Sequence, residues 1–181
     1  SSLKEFQSQE VASKQLATAM QQSGNYTNEA FQSLQDYATQ LQRTTTYADD
    51  QIVSVMAMHQ AMGLNIEQTK AATLQTANLA ALMGTDLVSA ARVMGDVFSG
   101  NAGMIGRYIK GLDETVIKSG DLNAIINELN KSIGGQAEAL ANTSEGAMIQ
   151  MKNAIGDLQE NIGMIISSGF TPLIKLTSDL A

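Results

Sequence analysis

The sequence predicts an all-α fold, an irregular bundle of about seven to nine helices with one long C-terminal helix. Apolar residues recur every three or four positions along most of the 181-residue chain, and this is the period of an α-helix. No segment alternates at period two for long enough to form a sheet. The chain also contains a single proline, the residue that interrupts helices most strongly.

Residues that start or stop helices delimit the first half of the chain. The first helix covers 3–22, and Thr27 or Asn28 caps the second, which ends at the β-branched residues 44–46. The third helix covers 48–63 and ends at a glycine.

The fourth helix opens with Asn65 and Gln68, which have the spacing of a capping box, and ends at Gly84. Thr85 is expected to cap the fifth helix, and glycines make 100–120 irregular or short-helical.

The last third predicts two further helices and the start of a third. Asp121 caps a helix that ends at Gly134. The final long helix is expected to run from Gln136 to about Ser167, and Pro172 opens another. We therefore expect residues 1–135 to form a bundle of short antiparallel helices and residues 136–181 to pack on it within one domain. Because the helical pattern is still running at the last residue, we expect the chain to be a fragment of a larger protein.

The final helix carries an apolar seam with the spacing that helices use to associate. Its members recur at alternating steps of three and four residues, and they are Met148, Met151, Ile155, Leu158, Ile162 and Ile165. Such a seam must be covered by the domain's own helices or by another copy, which predicts a weak homo-oligomer. Gly156 and Gly163 flank the seam and suggest a close approach of another helix.

Composition and charge exclude several classes of protein. The net charge of −7 and scattered basic residues argue against specific nucleic-acid binding. The absence of cysteine excludes a disulfide scaffold and thiol chemistry. The apolar stretches 51–66 and 161–174 are too short for stable membrane insertion, and the first residues lack the pattern of a signal peptide. The ten methionines are expected mainly as core filler.

The sequence predicts no catalytic, cofactor-binding or metal-binding residues, no cofactor and no enzymatic activity. His59 has Ser54 nearby, but a buried or half-exposed helix histidine is the favoured interpretation. Asp49 and Asp50 are interpreted as first-turn charges of a helix and not as metal ligands. A glycine series resembles a phosphate-binding loop but lacks the preceding strand and the lysine of a P-loop; its members are Gly95, Gly100, Gly103 and Gly106.

Several segments between residues 37 and 174 resemble a helical region of phage and prophage tail tape measure proteins. Each match is weak alone, but the order and spacing together are specific. The first set is Tyr37, Ala38, Leu41, Gln42, Thr44, Tyr47, Asp49, Asn65, Ile66, Glu67 and Gln68. The second set is Leu79, Ala80, Met83, Gly84, Asp86, Leu87, Ala90 and Ala91. The third set is Ala137, Ala139, Thr143, Gly146, Lys152, Asp157, Leu158, Glu160, Ile162, Gly163, Pro172, Leu173 and Ile174.

The resemblance implies a structural protein of virion assembly, part of the tape measure that sets tail length and occupies the lumen of the tail tube. Its implied partners are tail tube proteins, baseplate or tail-tip proteins and tail assembly chaperones. The implied location is the host cytoplasm before assembly and the tail lumen afterwards. Two alternatives stay open: a membrane-active or pore-forming helical protein, and a non-catalytic segment of a tail-associated peptidoglycan hydrolase.

Overall fold

The computed structural model describes the backbone of residues 2–167 and the side chains of residues 3–164, and this part of the chain is all-helical. The helices are α1 (Ser2–Gln22), α2 (Asn28–Thr44), α3 (Asp49–Ala61), α4 (Ile66–Met83), α5 (Leu87–Phe98), α6 (Glu114–Lys118), α7 (Leu122–Ile133), α8 (Gln136–Ala141) and α9 (Ser144–Ser167), with a 3-10 turn at Ile105–Arg107. The predicted fold class, an irregular helical bundle with a long C-terminal helix, is confirmed. The helix predicted at Pro172 and the seam residue Ile165 lie outside the described side chains.

Several helix ends form where their sequence signals indicate. Asn65 and Gln68 form the complete capping box of α4, and Gly84 ends this helix with a left-handed backbone, φ +66°. Thr27 caps α2 and Asp121 caps α7 through their side-chain oxygens. The predicted cap at Thr85 is wrong, because the carboxylate of Asp86 accepts the hydrogen bond from the third residue of α5.

Helix α4 is the centre of the bundle, where it contacts α2, α3, α5, α7 and α8. Alongside apolar residues, it buries a row of polar side chains: Thr69, Thr73, Gln75, Thr76 and Asn78. Each of these is hydrogen-bonded, as when Gln75 Nε2 donates to Asn130 Oδ1 at 3.0 Å and Asn78 Oδ1 accepts from the Ala137 amide at 3.0 Å. These pairs join α4 to α7 and α8. The core therefore contains buried hydrogen bonds in addition to the apolar packing.

The methionine prediction holds only in part. Met56 and Met94 are fully buried. Met62, Met148 and Met151 are exposed. The difference follows position in the bundle. Met56 and Met94 lie within α3 and α5, which pack against several neighbours, whereas Met62 follows the end of α3 and α9 packs mainly against α1.

The predicted helix from Gln136 to Ser167 is interrupted at residues 142–143. Thr143 starts α9 as its cap, because its hydroxyl oxygen accepts the Gly146 amide at 3.0 Å while donating to the Leu140 carbonyl at 2.8 Å. At 24 residues, α9 spans about 36 Å at 1.5 Å per residue. The long helix is therefore shorter than the sequence predicted.

Two glycines of α9 should respond oppositely to alanine. A Cβ at Gly146 would lie 2.7 Å from the Ala141 carbonyl oxygen, whereas a Cβ at Gly156 would meet no atom within 4 Å. We expect Gly146→Ala to destabilise the domain by about 1–3 kcal/mol through backbone displacement. We expect Gly156→Ala to stabilise it by up to about 1 kcal/mol, because alanine favours a helix interior.

Thermal unfolding followed by circular dichroism measures both changes, and each variant serves as the other's control. Equal shifts in the same direction would contradict this prediction. The open space at Gly156 also corrects the expectation that this glycine marks a close helix approach; it is half-buried but not in tight contact.

Candidate functional site

Helix α9 packs on the bundle through its polar face. Gln150 Nε2 donates to the carbonyl oxygens of Arg43 and Thr45 at 3.0 and 3.1 Å, and Asn153 Nδ2 donates to that of Thr46 at 3.2 Å. These carbonyls lie at the C-terminal end of α2, where the last turn of a helix leaves carbonyl groups without partners inside the helix. The side-chain amides of Gln150 and Asn153 therefore supply hydrogen bonds to carbonyl groups at the end of α2.

Gln42 connects this contact to the beginning of α3. The side chain of Gln42 is buried; its Oε1 accepts the Asp49 amide at 2.8 Å and its Nε2 donates to Asp157 Oδ2 at 2.5 Å. One amide thus holds a residue of α9 beside the first turn of α3.

The opposite face of α9 is apolar and exposed. We define the α9 stripe as Met148, Met151, Ile155, Leu158 and Ile162, the members of the predicted seam whose side chains the structure describes. They are 68%, 61%, 50%, 61% and 43% exposed, respectively. An amphipathic surface helix normally packs its apolar side inward. Here the arrangement is inverted, and the stripe lies outside the core that the described residues form.

A cluster of carboxylates lies where α9 meets the bundle. Asp49 of α3 and Asp157 and Glu160 of α9 each place a carboxylate oxygen within 4.8 Å of the others. They line a cleft of about 330 Å³ to which α1 contributes Glu5 and Ser8. One oxygen of Glu5, Oε2, is buried without a hydrogen-bond partner. Lys4 of α1 and Lys152 of α9 also line the cleft, so carboxylates from three helices meet beside two lysines.

Burial and mutual repulsion raise the pKa values of the carboxyl groups in this cluster. Burial, followed by the charges of Asp157 and Asp50, raises the pKa of Asp49 from 3.8 to about 6. Burial, followed by the charges of Asp49, Asp157 and Asp50, raises the pKa of Glu160 from 4.5 to about 7. The pKa of Asp157 is also raised by burial, although the hydrogen bond from Gln42 opposes this shift. The cluster retains protons more readily than isolated carboxyl groups do.

The chemistry open to this cluster is proton sharing or binding of a hard cation. Carboxylate oxygens are the ligands that Ca²⁺ and Mg²⁺ prefer, and Asp49, Asp157 and Glu160 are the described residues that could hold such an ion. Sequence reasoning considered Asp49 and missed Asp157 and Glu160 as its neighbours. No nearby sequence signal connects Asp49 with these two residues. Gln42, which lies seven positions before Asp49, is 115 positions from the Asp157 that it binds.

Glu160→Gln should stabilise the domain at alkaline pH. The raised pKa means that the folded state favours protonated Glu160, so this residue costs stability as pH rises from about 4.5 to about 7, and the cost persists above that range. Because Glu160 is partly solvated, we expect a discounted gain of roughly 0.5–1 kcal/mol at pH 8 and almost none at pH 4.

Urea unfolding at the two pH values measures this gain. Glu138→Gln is the matched control, since Glu138 is an exposed residue of α8. An equal effect of the two substitutions at pH 8 would contradict a specific role of the cluster.

The structure places His59 in the core and not in a cleft. It is fully buried, with Nδ1 3.0 Å from Thr73 Oγ1, Nε2 3.3 Å from Thr76 Oγ1 and an edge-on contact with Phe98 at 5.9 Å. Burial lowers its pKa from 6.5 to about 4. Ser54 donates instead to the Asp50 carbonyl at 2.9 Å. These contacts favour the interpretation of His59 as a buried structural histidine.

Three members of the glycine series lie in one shallow cleft with basic side chains. Gly100, Gly103 and Gly106 line it together with Arg107 and Lys118. Glu114 also lines this cleft, and its carboxylate is 3.5 Å from Lys118 Nζ. This negative charge disfavours a phosphate there.

Comparisons with protein-family models, curated proteins and solved structures return no match for this chain. In the described part of the chain, no helix is both long and apolar enough to cross a bilayer.

Proposed function

We propose that this chain is a structural module of a phage tail tape measure protein, a determinant of tail length that occupies the tail lumen and acts without catalysis. The main observation in support of this proposal is the exposed α9 stripe. A row of exposed apolar side chains on one helix is suited to lateral contact within an elongated assembly. The class of assembly comes from the resemblance of the sequence to tape measure proteins.

The forces that hold the bundle together are compatible with a protein that must leave a tube. The ion pairs among the described residues, Glu10–Lys14, Glu67–Lys70 and Glu114–Lys118, each lie within one helix. Contacts between these helices consist of apolar packing and hydrogen bonds between neutral groups, together with a few carboxylate hydrogen bonds. Such contacts are individually weak, so the helices can separate one after another under force.

The proposed partners are the tail tube, the baseplate or tail tip, and tail assembly chaperones. In this proposal the protein is in the host cytoplasm before assembly and in the virion tail afterwards. An in-frame deletion of residues 2–167 from the parent gene tests the proposal. If the module extends as continuous helix in the tail, virions should carry tails up to about 250 Å shorter, at 1.5 Å per residue.

Tail lengths are measured by negative-stain electron microscopy. A deletion of equal length elsewhere in the same helical region is the control and should shorten the tail equally. Tails of unchanged length would overturn the proposal.

One observation favours membrane activity as a second candidate function. The α9 stripe has the size and spacing of the apolar side of an interfacial helix. The polar face, however, carries Asp157 and Glu160, whereas helices that bind anionic membranes carry lysine and arginine on that face. Leakage of dye from anionic vesicles at low protein-to-lipid ratio would favour this alternative, and we expect none.

A further inference from the structure

The α9 stripe has the residue pattern of a two-stranded parallel coiled coil. Its members alternate between the a and d positions of a heptad, with Met148, Ile155 and Ile162 at a and Met151 and Leu158 at d. In the second half of the stripe, isoleucine at a (Ile155 and Ile162) and leucine at d (Leu158) form the combination that favours two parallel strands. The face opposite the stripe is the one that packs on the bundle. A partner helix can therefore reach the stripe without displacing α9.

The charges beside the stripe favour a second copy of this chain as the partner. The flanking e and g positions from 147 to 161 contain no carboxylate; they are Ala147, Lys152, Ala154, Gln159 and Asn161. The carboxylates of Asp157 and Glu160 face the bundle cleft. Two chains that each carry a net charge of −7 can thus approach along this surface without opposing carboxylates. A basic partner helix would find no acidic flank to pair with.

We propose that two copies of this chain associate through their α9 stripes as a parallel, two-stranded coiled coil. The inference stands on the geometry of α9 and does not rest on the tape measure assignment. The stripe extends about 21 Å from Met148 to Ile162 at 1.5 Å per residue. Interfaces this small are weak, so the dimer forms in the upper micromolar range of protein concentration.

Sedimentation velocity on the full 181-residue chain tests the association. We expect the sedimentation coefficient to rise with concentration from the monomer value toward the dimer value. Ile162→Asp should weaken the dimer at least ~10-fold, since it places a charge in a dehydrated seam. Val88→Asp is the control, because it adds the same charge at an exposed apolar residue of α5 and should leave association unchanged.

Cross-linking tests the parallel orientation, because the chain has no natural cysteine. A short bismaleimide should join two Met148→Cys chains, since equal positions are adjacent in a parallel pair. It should not join a Met148→Cys chain to an Ile162→Cys chain, because these positions are about 21 Å apart along the axis.

Three results would overturn the proposal. The first is a monomer at every concentration, as expected if residues 168–181 cover the stripe. The second is a dimer that Ile162→Asp does not weaken. The third is cross-linking confined to the mixed pair, which indicates antiparallel helices. None of these results depends on tail length, so this proposal and the tape measure proposal can fail separately.

Discussion

Replacing Gln60 with alanine should destabilise the domain by about 3 kcal/mol, the largest effect that we expect from one polar substitution. Gln60 is fully buried at the end of α3. Its Nε2 donates to the Leu64 carbonyl at 3.0 Å and to Thr69 Oγ1 at 2.7 Å. Its Oε1 accepts from Ser23 Oγ at 3.1 Å and Asn25 Nδ2 at 3.0 Å. One side chain thus links the end of α1, the end of α3 and the first turn of α4.

Two costs add when this amide is removed. Neighbouring polar groups lose their partner, and a buried group left without a hydrogen bond costs about 1–3 kcal/mol. Truncation also leaves a cavity beside Leu64, which is fully buried. Gln60→Met separates the two costs, because methionine keeps most of the volume but none of the hydrogen bonds. We expect it to cost about 2 kcal/mol.

Urea unfolding followed by helical circular dichroism measures these differences. The matched control is Gln51→Ala, which truncates an exposed glutamine of the same helix and should change stability by less than about 0.5 kcal/mol. If Gln60→Met were as stable as the unaltered chain, the hydrogen-bond network would not contribute to stability.

The sequence allowed correct prediction of features that depend on neighbouring residues. The capping box of Asn65 and Gln68 is one example, because its two hydrogen bonds join residues only three positions apart. The heptad spacing of the α9 stripe is another, since the helix repeat alone places those residues on one face. The break at residues 142–143 was missed although Thr143 is a good cap. The alanines and apolar residues on both sides of the break have helical spacing, so the sequence predicted one continuous helix there.

The features that the sequence did not predict depend on distant residues. Nothing near α9 indicates that its polar face packs inward, because the acceptors for Gln150 and Asn153 lie at the end of α2, more than 100 positions away. The carboxylate cluster is invisible for the same reason. The buried polar row of α4 was also missed, since threonine and glutamine in a helix normally indicate a solvent-facing side. Their partners, such as Asn130 for Gln75, come from other helices.

The imidazole of His59 should titrate near pH 4 and make the domain sensitive to acid. Its folded-state pKa of about 4 lies below the ordinary value of 6.5, because burial disfavours the charged form. The Thr73 and Thr76 hydroxyls beside the two ring nitrogens each donate to a helix carbonyl, at 2.7 and 2.8 Å, and the neutral ring has one N–H to donate to one of their oxygens. Between pH 6.5 and about 4, His59 binds a proton in the unfolded chain but stays neutral in the folded chain. This linkage should remove about 3 kcal/mol of stability as pH falls through that range.

The carboxylate cluster changes folding stability in the opposite direction to His59, over an overlapping pH range. The raised pKa values of Asp49 and Glu160, about 6 and about 7, mean that folding takes up protons there and that stability rises as pH falls from about 7 to 4. These residues are partly solvated, so their joint effect is smaller, roughly 1–2 kcal/mol after screening is discounted. On acidification, the unaltered chain should therefore lose less stability than the titration of His59 alone predicts. In Glu160→Gln the loss on acidification should be larger.

Proton NMR separates the two opposing effects, because the chain has a single histidine and its ring signals report that site alone. The signals should stay at the neutral position at pH 5.5, and an exposed histidine in a short peptide is the control, with a midpoint near 6.5. Unfolding free energies from pH 4 to 8 for the unaltered chain and for His59→Leu complete the test. The leucine variant should gain stability as pH falls, since only the carboxylates still titrate. A histidine midpoint near 6.5 in the folded chain would contradict the burial of His59 and its contact with Thr73.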